Sequence, residues 1–169
     1  NIPFNYQEPE ETTHFSVVDK WGNAVSVTTT INGWFGSGIV VDGAGFLLNN
    51  EMDDFAAAPG VPNAFGLLGT EANSVAPGKR PLSSMSPTIV LKDNKPILAV
   101  GAAGGPTIIT QTLLALIHTL DYGLPVKEAL AQPHFHHQWK PDSIRIERKA
   151  GESVLNCLLY TSEAADEGL

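Results

Sequence analysis

The strongest structural signal in the sequence is an apolar strand that runs through a glycine-rich turn into a helix. Residues 97–102 form an apolar run, and its end overlaps the glycine-rich segment Gly101-Ala-Ala-Gly104-Gly105-Pro106. From Thr107 to Tyr122 the apolar residues at 109, 113, 116, 117 and 120 have the spacing of a helix with one buried face. Gly123 and Pro125 then end the helix. A helix joined to a strand in this way predicts a layer of helices packed on a sheet.

Short strand pairs account for much of the remaining chain. Residues 14–19 and 24–31 are rich in Val and Thr and flank a turn-forming Lys-Trp-Gly-Asn stretch, which predicts a β-hairpin. Further predicted elements are a hairpin of 39–41 and 46–48, a hairpin of 86–92 and 97–102, a helix at 126–132 and a strand at 143–147. The overall expectation is an α+β domain.

The segment 56–81 differs from its surroundings because it is rich in Pro, Gly and Ala and has little periodicity. A loop of this length inside a compact domain is uncommon and often forms a lid or a binding loop.

Composition excludes several classes of protein. The chain has 169 residues, of which 43% are hydrophobic and 17% charged, as in an ordinary globular domain. Its formal net charge of −8 argues against nucleic acid as a partner and against binding to anionic membranes. No apolar run is long enough to span a bilayer, so we expect no stable membrane contact.

The two ends of the chain are expected to differ from its body. Residues 1–11 are polar and acidic, and residues 157–169 follow no amphipathic pattern and look like translated sequencing adapter. We therefore expect the native domain in this chain to end near residue 156. The single cysteine, Cys157, falls in the suspect tail, so disulfides, thiolate catalysis and cysteine-based metal sites are not expected.

Three features offer chemistry, each with an ordinary structural alternative. Thr12 stands at the mouth of a strand, and a freed α-amino group at that position would serve as the base for its own hydroxyl. Gly104 and Gly105 precede a helix, where exposed backbone N–H groups suit an oxyanion, although a plain turn explains them equally well. The acidic segment 49–54 is by itself most simply a solvated helix start.

No metal or cofactor site is predicted. The cluster His134-Phe-His136-His137 has no carboxylate or cysteine at ligand spacing, which favours packing and hydrogen bonding between a helix and a strand. Gly78-Lys79 lacks the glycine spacing and the hydroxyl residue of a P-loop.

The order and spacing of several motifs resemble the small subunit of gamma-glutamyltranspeptidases. The motifs span most of the chain between Thr12 and Glu147: they are TTHFSVVD from Thr12, LLNNEMDDF from Leu47, PGVPN from Pro59, PGKR from Pro77 and LSSMSPT from Leu82. The resemblance implies the αββα sandwich of the N-terminal nucleophile hydrolases and a precursor that cuts itself into two subunits.

The resemblance also implies a role for individual residues. Thr12 matches the nucleophile, and Thr30 matches the threonine that hydrogen-bonds to it. The remaining matches are Asn32, Glu51 and Asp54 for the substrate α-ammonium, Ser83 and Ser84 for its α-carboxylate, and Gly104 and Gly105 for the oxyanion hole.

Self-cleavage is implied between Glu11 and Thr12, so that residues 1–11 end the large subunit and 12–156 begin the small one. The mature enzyme would cleave γ-glutamyl amides such as glutathione through a Thr12 ester, and would pass the group to water, amino acids or peptides. Its protein partner would be its own large subunit, and the resemblance suggests a periplasmic or extracellular enzyme.

Some positions depart from the common family pattern. Ala103 stands where many members have Pro, Pro106-Thr107 where many have Ser-Arg, Phe65 where some have Tyr, and His134 where Arg is usual.

Two rival functions remain open. A glutaryl-amide acylase of the same superfamily would use the same nucleophile but needs no ammonium site, which Glu51 and Asp54 argue against. A non-catalytic protein on the same fold predicts decay at Thr12, Thr30 or the glycine pair, and all are intact.

Overall fold

The structure is a computed structural model that describes residues 12–158. It contains six strands, β1 to β6, two α-helices, α1 and α2, and a further helical segment at 152–158. The strands are β1 Thr13–Val18, β2 Ala24–Thr29, β3 Thr88–Lys92, β4 Lys95–Val100, β5 Phe135–His136 and β6 Arg145–Ile146; the helices are α1 Thr107–Leu116 and α2 Val126–Ala131. Three short 3₁₀-helices lie at Glu51–Asp54, Glu71–Asn73 and Arg148–Ala150.

Three antiparallel hairpins form the β layer. β1 pairs with β2, β3 with β4, and β5 with β6. The turn between β3 and β4 has both central residues, Asp93 and Asn94, at positive φ (51° and 60°), which suits the right-handed twist of the flanking strands. The hairpins predicted at 14–31 and 86–102 are therefore confirmed.

The first two hairpins lie against each other, with α1 packed on the second. The Ser26 hydroxyl of β2 donates to the Val100 carbonyl at the end of β4 (3.2 Å). A methyl group built on Gly101 would overlap the His14 ring of β1, so only glycine permits this close approach. The buried core includes Ile108 and Leu114 of α1 and Ala129 of α2.

Three predicted elements differ from the structure. Residues 39–48 meet only in an isolated bridge, Val40 to Leu47, because Phe35, Gly36 and Gly38 take positive φ values that break the extended backbone before it. The strand predicted at 143–147 is limited to Arg145–Ile146, since its partner β5 is only two residues long.

The helix predicted at 107–122 is α-helical only to Leu116. It continues as a π-turn over Ile117–Asp121, where the Tyr122 N–H donates to the Ile117 carbonyl (3.1 Å). In this turn the Thr119 hydroxyl donates a hydrogen bond to the Ala115 carbonyl of the preceding turn (2.6 Å).

No helix within residues 12–158 is long and apolar enough to cross a bilayer. The expectation that residues 157–169 are foreign stays a prediction: residues 152–158 are helical, and 159–169 lie outside the described part of the chain.

Candidate active site

Thr12 and Thr30 face each other at the open end of the first hairpin. Antiparallel pairing sets Thr13 opposite Thr29, so the residues just beyond each strand end are brought together. The Thr12 hydroxyl donates to Thr30 Oγ1 (3.2 Å), and Thr30 Oγ1 also accepts the backbone N–H of Asn32 (2.9 Å). The Thr12 hydroxyl, which is partly buried immediately before β1, is therefore oriented by the Thr30 hydroxyl.

Asn32 links this threonine pair to the acidic segment. Its φ of 76° turns the chain sharply, in the left-handed region that asparagine tolerates better than most residues. Its side-chain amide then donates to the Asn50 carbonyl (3.2 Å) and to Asp54 Oδ1 (3.2 Å).

Glu51 and Asp54 lie on one face of a 3₁₀-helix. Residues three apart are aligned in this helix, and the two carboxyl groups are hydrogen-bonded to each other. Burial, the bond to Asp54 and its negative charge raise the pKa of Glu51 to about 7. Burial also raises the pKa of Asp54, although the bonds from Glu51 and Asn32 act in the opposite direction. The segment is thus more than a solvated helix start.

The serine pair and the glycine pair are directly connected. The Ser84 hydroxyl donates to the Gly105 carbonyl (3.0 Å), and Ser83 Oγ accepts the Met85 N–H (3.2 Å). Ser84 therefore places the extended segment before β3 beside the start of α1.

Gly104 and Gly105 cap α1 with their carbonyl groups. Both have positive φ, 120° and 57°. The Gly104 carbonyl accepts the Thr107 N–H (3.2 Å) and the Thr107 hydroxyl (2.7 Å), and the Gly105 carbonyl accepts the Ile108 N–H (3.1 Å). No hydrogen bond from either glycine N–H is found within residues 12–158, and of the two only Gly105 reaches the cavity.

One cavity of about 810 Å³ brings these groups together. The sequence-predicted residues on its wall are Thr12, Thr30, Asn32, Glu51, Asp54, Ser83, Ser84 and Gly105. Gly104 is buried and is not part of the wall, and Glu11 lies outside the described residues.

Sequence reasoning missed several other residues of the wall. Asn73 donates to the Asp54 carbonyl (2.9 Å) and accepts the Leu82 N–H (2.9 Å), so it joins the acidic helix to the segment that leads to the serines. Arg80 adds a cation, and Asn63, His136 and Gln138 also line the cavity. Asn63 and Arg80 fall in recognisable motifs, but single residues in a long loop carry no periodic signal. Phe65, noted in the sequence as standing where some family members have Tyr, lies on the wall as well.

The three histidines of the cluster each hydrogen-bond to a different partner. His136 of β5 is buried and hydrogen-bonds to the Thr110 hydroxyl of α1 (2.9 Å), whereas His134 pairs with Glu147 (3.0 Å) and His137 with Asp142 (3.1 Å). Across residues 12–158 no group of three or more metal-ligating side chains comes together.

Known proteins resemble this chain in sequence. Residues 2–164 match the family model for gamma-glutamyltranspeptidase. The chain is 57% identical over 151 residues to a glutathione hydrolase proenzyme of Escherichia coli K12, a match that covers 89% of this chain and 26% of that protein. The chain thus spans about a quarter of the length of that relative.

Solved structures agree with the sequence match. A threonine-to-alanine mutant of Helicobacter pylori gamma-glutamyltranspeptidase superposes with a TM-score of 0.84 at 55% identity, covering 88% of this chain and 81% of that one. An acivicin-inhibited gamma-glutamyltranspeptidase superposes with a TM-score of 0.83 at 54% identity, covering 89% and 80%.

The fold is that of the N-terminal nucleophile hydrolases, and this α+β class is the one predicted. The chain belongs to the gamma-glutamyltranspeptidase family.

Proposed function

We propose that the full-length protein containing this chain cleaves γ-glutamyl amide bonds, such as that of glutathione, and transfers the γ-glutamyl group to water or to an amine. The observation that carries the proposal is one cavity whose wall brings together a threonine hydroxyl, a carboxyl pair, a serine pair and a glycine of the turn before α1. The relatives are named glutathione hydrolase proenzymes and gamma-glutamyltranspeptidases.

Self-cleavage would activate the protein. The Thr12 hydroxyl oxygen attacks the Glu11 carbonyl carbon, the Glu11–Thr12 amide bond breaks, and the released nitrogen takes up the hydroxyl proton. Water then hydrolyses the resulting ester and regenerates the hydroxyl. Autoprocessing is described for the acivicin-inhibited gamma-glutamyltranspeptidase, one of the structural relatives. Thr30, at 3.2 Å, is placed to orient the attacking hydroxyl.

Catalysis would reuse the same hydroxyl with the new α-amino group as its base. A free α-amino group has a pKa near 7.7–8.0, so a useful fraction is unprotonated at neutral pH. It takes the proton from Thr12 as Oγ bonds to the γ-carbonyl carbon, and it returns the proton to the departing amine. The N–H groups of Gly104 and Gly105 stabilise the oxyanion that forms between these steps. Water or an amine then attacks the γ-glutamyl ester in the same manner.

The α-amino and α-carboxylate groups of the donor would be recognised by two different sets of side chains on the cavity wall. Glu51, Asp54 and the side-chain oxygen of Asn32 offer acceptors to an α-ammonium group, and the hydroxyls of Ser83 and Ser84 offer donors to an α-carboxylate.

A large subunit of the same precursor is the proposed protein partner. Phe15, Val17 and Val25 of the first hairpin are each about half exposed (47%, 52% and 52%). Apolar strand residues exposed to this extent support a covering partner.

Donor selectivity tests the function. We expect the full-length protein to release the anilide product from a γ-glutamyl anilide with a kcat/KM at least about 100-fold above that for a glutaryl anilide, because the latter lacks the ammonium group and leaves the carboxylates unpaired. The two donors differ only in the α-amino group, so each serves as the other's control. Equal or better use of the glutaryl anilide would place the protein among glutaryl acylases, and turnover of neither would support a non-catalytic protein.

The pH dependence of donor binding is a second expected result. Below pH 7 Glu51 keeps its proton, and above pH 7 it loses the proton and adds one negative charge to the carboxyl pair. The inhibition constant of L-glutamate, whose ammonium group stays charged in this range, should therefore fall about fivefold between pH 6 and 8.

Glu51→Gln should remove this inflection, because it deletes the titrating group with little change in shape. A wild-type inhibition constant that is flat or rises with pH would contradict the shared-proton arrangement of Glu51 and Asp54.

A further inference from the structure

A hydrogen-bonded chain connects the long loop over the cavity to the helix that begins at the glycine pair. We propose that Gln138 and His136 are positioning residues that hold the loop segment 63–67, here called the cover segment, so that Phe65 lies over the oxyanion glycine Gly105. The inference rests on the proposed function, since it assigns these two residues a task in that reaction.

Phe65 is the point of contact between the cover segment and the glycine pair. A methyl group built on Gly105 would lie 3.5 Å from Phe65 Cδ1, which is ordinary van der Waals distance, so the ring lies directly beside this glycine. An apolar ring in that place limits the access of water to the N–H groups of the turn, and an anion bound there is stabilised more strongly in the absence of water.

The cover segment is held through its backbone, because the Phe65 side chain has no polar atom. Within the segment, Asn63 Oδ1 accepts the N–H groups of Phe65 and Leu67 (both 3.0 Å), which fixes a tight turn. From outside it, the Gln138 side-chain amide donates to the Phe65 carbonyl (3.4 Å). Gln138 follows β5 and is 73 residues from Phe65 in the sequence, so this contact exists only in the fold.

Geometry fixes the orientation of the Gln138 amide. Its nitrogen also donates to the Lys140 carbonyl (3.0 Å), and two carbonyl oxygens can be served only by the NH₂ end. The Gln138 oxygen therefore faces His136 Nε2 at 2.9 Å, and this ring nitrogen must carry a proton.

His136 transmits this restraint to α1. Its ring is buried, and Nδ1 is hydrogen-bonded to the Thr110 hydroxyl in the first turn of α1 (2.9 Å). The same turn is capped by the Gly104 and Gly105 carbonyls. Two side chains, Gln138 and His136, thus connect the cover segment to the helix that begins after the glycine pair.

The test compares Gln138→Leu with the matched control Gln132→Leu in the full-length protein. Gln132 lies at the end of α2, and its side-chain amide donates to the Glu128 carbonyl (3.2 Å), away from the cavity. Because one hydrogen bond to the cover segment is lost, we expect amide exchange of residues 63–67 to accelerate about fivefold in Gln138→Leu, with kcat/KM for a γ-glutamyl anilide reduced about fivefold and the melting temperature unchanged. Gln132→Leu should leave all three as in the wild type.

Two His136 variants provide a second measurement. His136→Gln places an amide nitrogen close to the position of the imidazole Nε2 and can still donate to Gln138, so it should keep most of the exchange protection of residues 63–67. His136→Asn is too short to reach and should lose it. A Gln138→Leu protein with wild-type exchange at 63–67, or with uniformly faster exchange and a lower melting temperature, would overturn the positioning role.

The exchange and turnover measurements separate the two proposals. Loss of protection at 63–67 in a protein whose wild type has no γ-glutamyl activity would retain the contact between loop and helix and reject the function. Normal wild-type turnover with no response to Gln138→Leu in either measurement would reject the positioning role and retain the function.

Discussion

Thr12→Ala in the full-length gene is expected to leave the precursor as one uncut chain and to reduce γ-glutamyl anilide turnover by about 10⁴-fold or more, because the attacking oxygen of both reactions is removed. Denaturing gel electrophoresis of the purified protein measures the first effect, and anilide release measures the second.

Thr13→Ala is the matched control for this variant. Thr13 is the neighbouring residue, is exposed and lies in the paired part of β1, so its removal should leave cleavage and turnover within about twofold of the wild type. Thr12→Ser keeps a hydroxyl and should still be cut. Two subunits at normal yield from Thr12→Ala would overturn the assignment of the nucleophile.

Asp54→Asn is expected to lower kcat/KM for the γ-glutamyl anilide by about 50-fold, because a bound α-ammonium would lose a carboxylate in a partly buried site. In the wild type the Asn32 side-chain amide donates to Asp54 Oδ1 (3.2 Å), and in the variant it would face the new amide group. Steady-state kinetics with both the γ-glutamyl and the glutaryl anilide measure the effect.

Asp53→Asn is the control, since Asp53 is adjacent and exposed, is not part of the cavity wall, and accepts only the Asn50 side-chain amide (2.8 Å) among the described residues. Its kcat/KM should stay within about twofold of the wild type, as for other exposed charges. An Asp54→Asn protein that loses activity equally toward both donors would contradict an ammonium-binding role, because the glutaryl donor has no such group.

The elements predicted well are those whose signal is local. The turn at Asp93 and Asn94 was predictable because these residue types tolerate a left-handed backbone, and the β1–β2 hairpin because its Val and Thr residues flank a Gly-Asn turn. The helix after Gly105 was predictable from its apolar spacing, but its change to a π-turn at Ile117 was not, since that depends on how the last turn packs.

The candidate site divides in the same way. The order of the motifs predicted that one site contains Thr12, Thr30, Asn32, Glu51, Asp54 and the serine and glycine pairs. The structure brings all of these residues except Gly104 to the cavity wall. Their roles remain proposals, as does the cleavage at Glu11. Asn73 and Gln138 were missed because each acts through one long-range hydrogen bond, to Asp54 and to Phe65, and neither bond leaves a pattern in nearby residues.

The sequence by itself determined the family, the positions of the two longer hairpins and of the main helix, and the residue types available for chemistry, because these depend on short-range spacing and on recognisable motifs. Only the tertiary structure decided that Glu51 and Asp54 share a partly buried space that raises the pKa of Glu51 to about 7, and that Phe65 covers Gly105. Both depend on distances between segments far apart in the chain, and those distances are set by packing rather than by any local preference of the backbone.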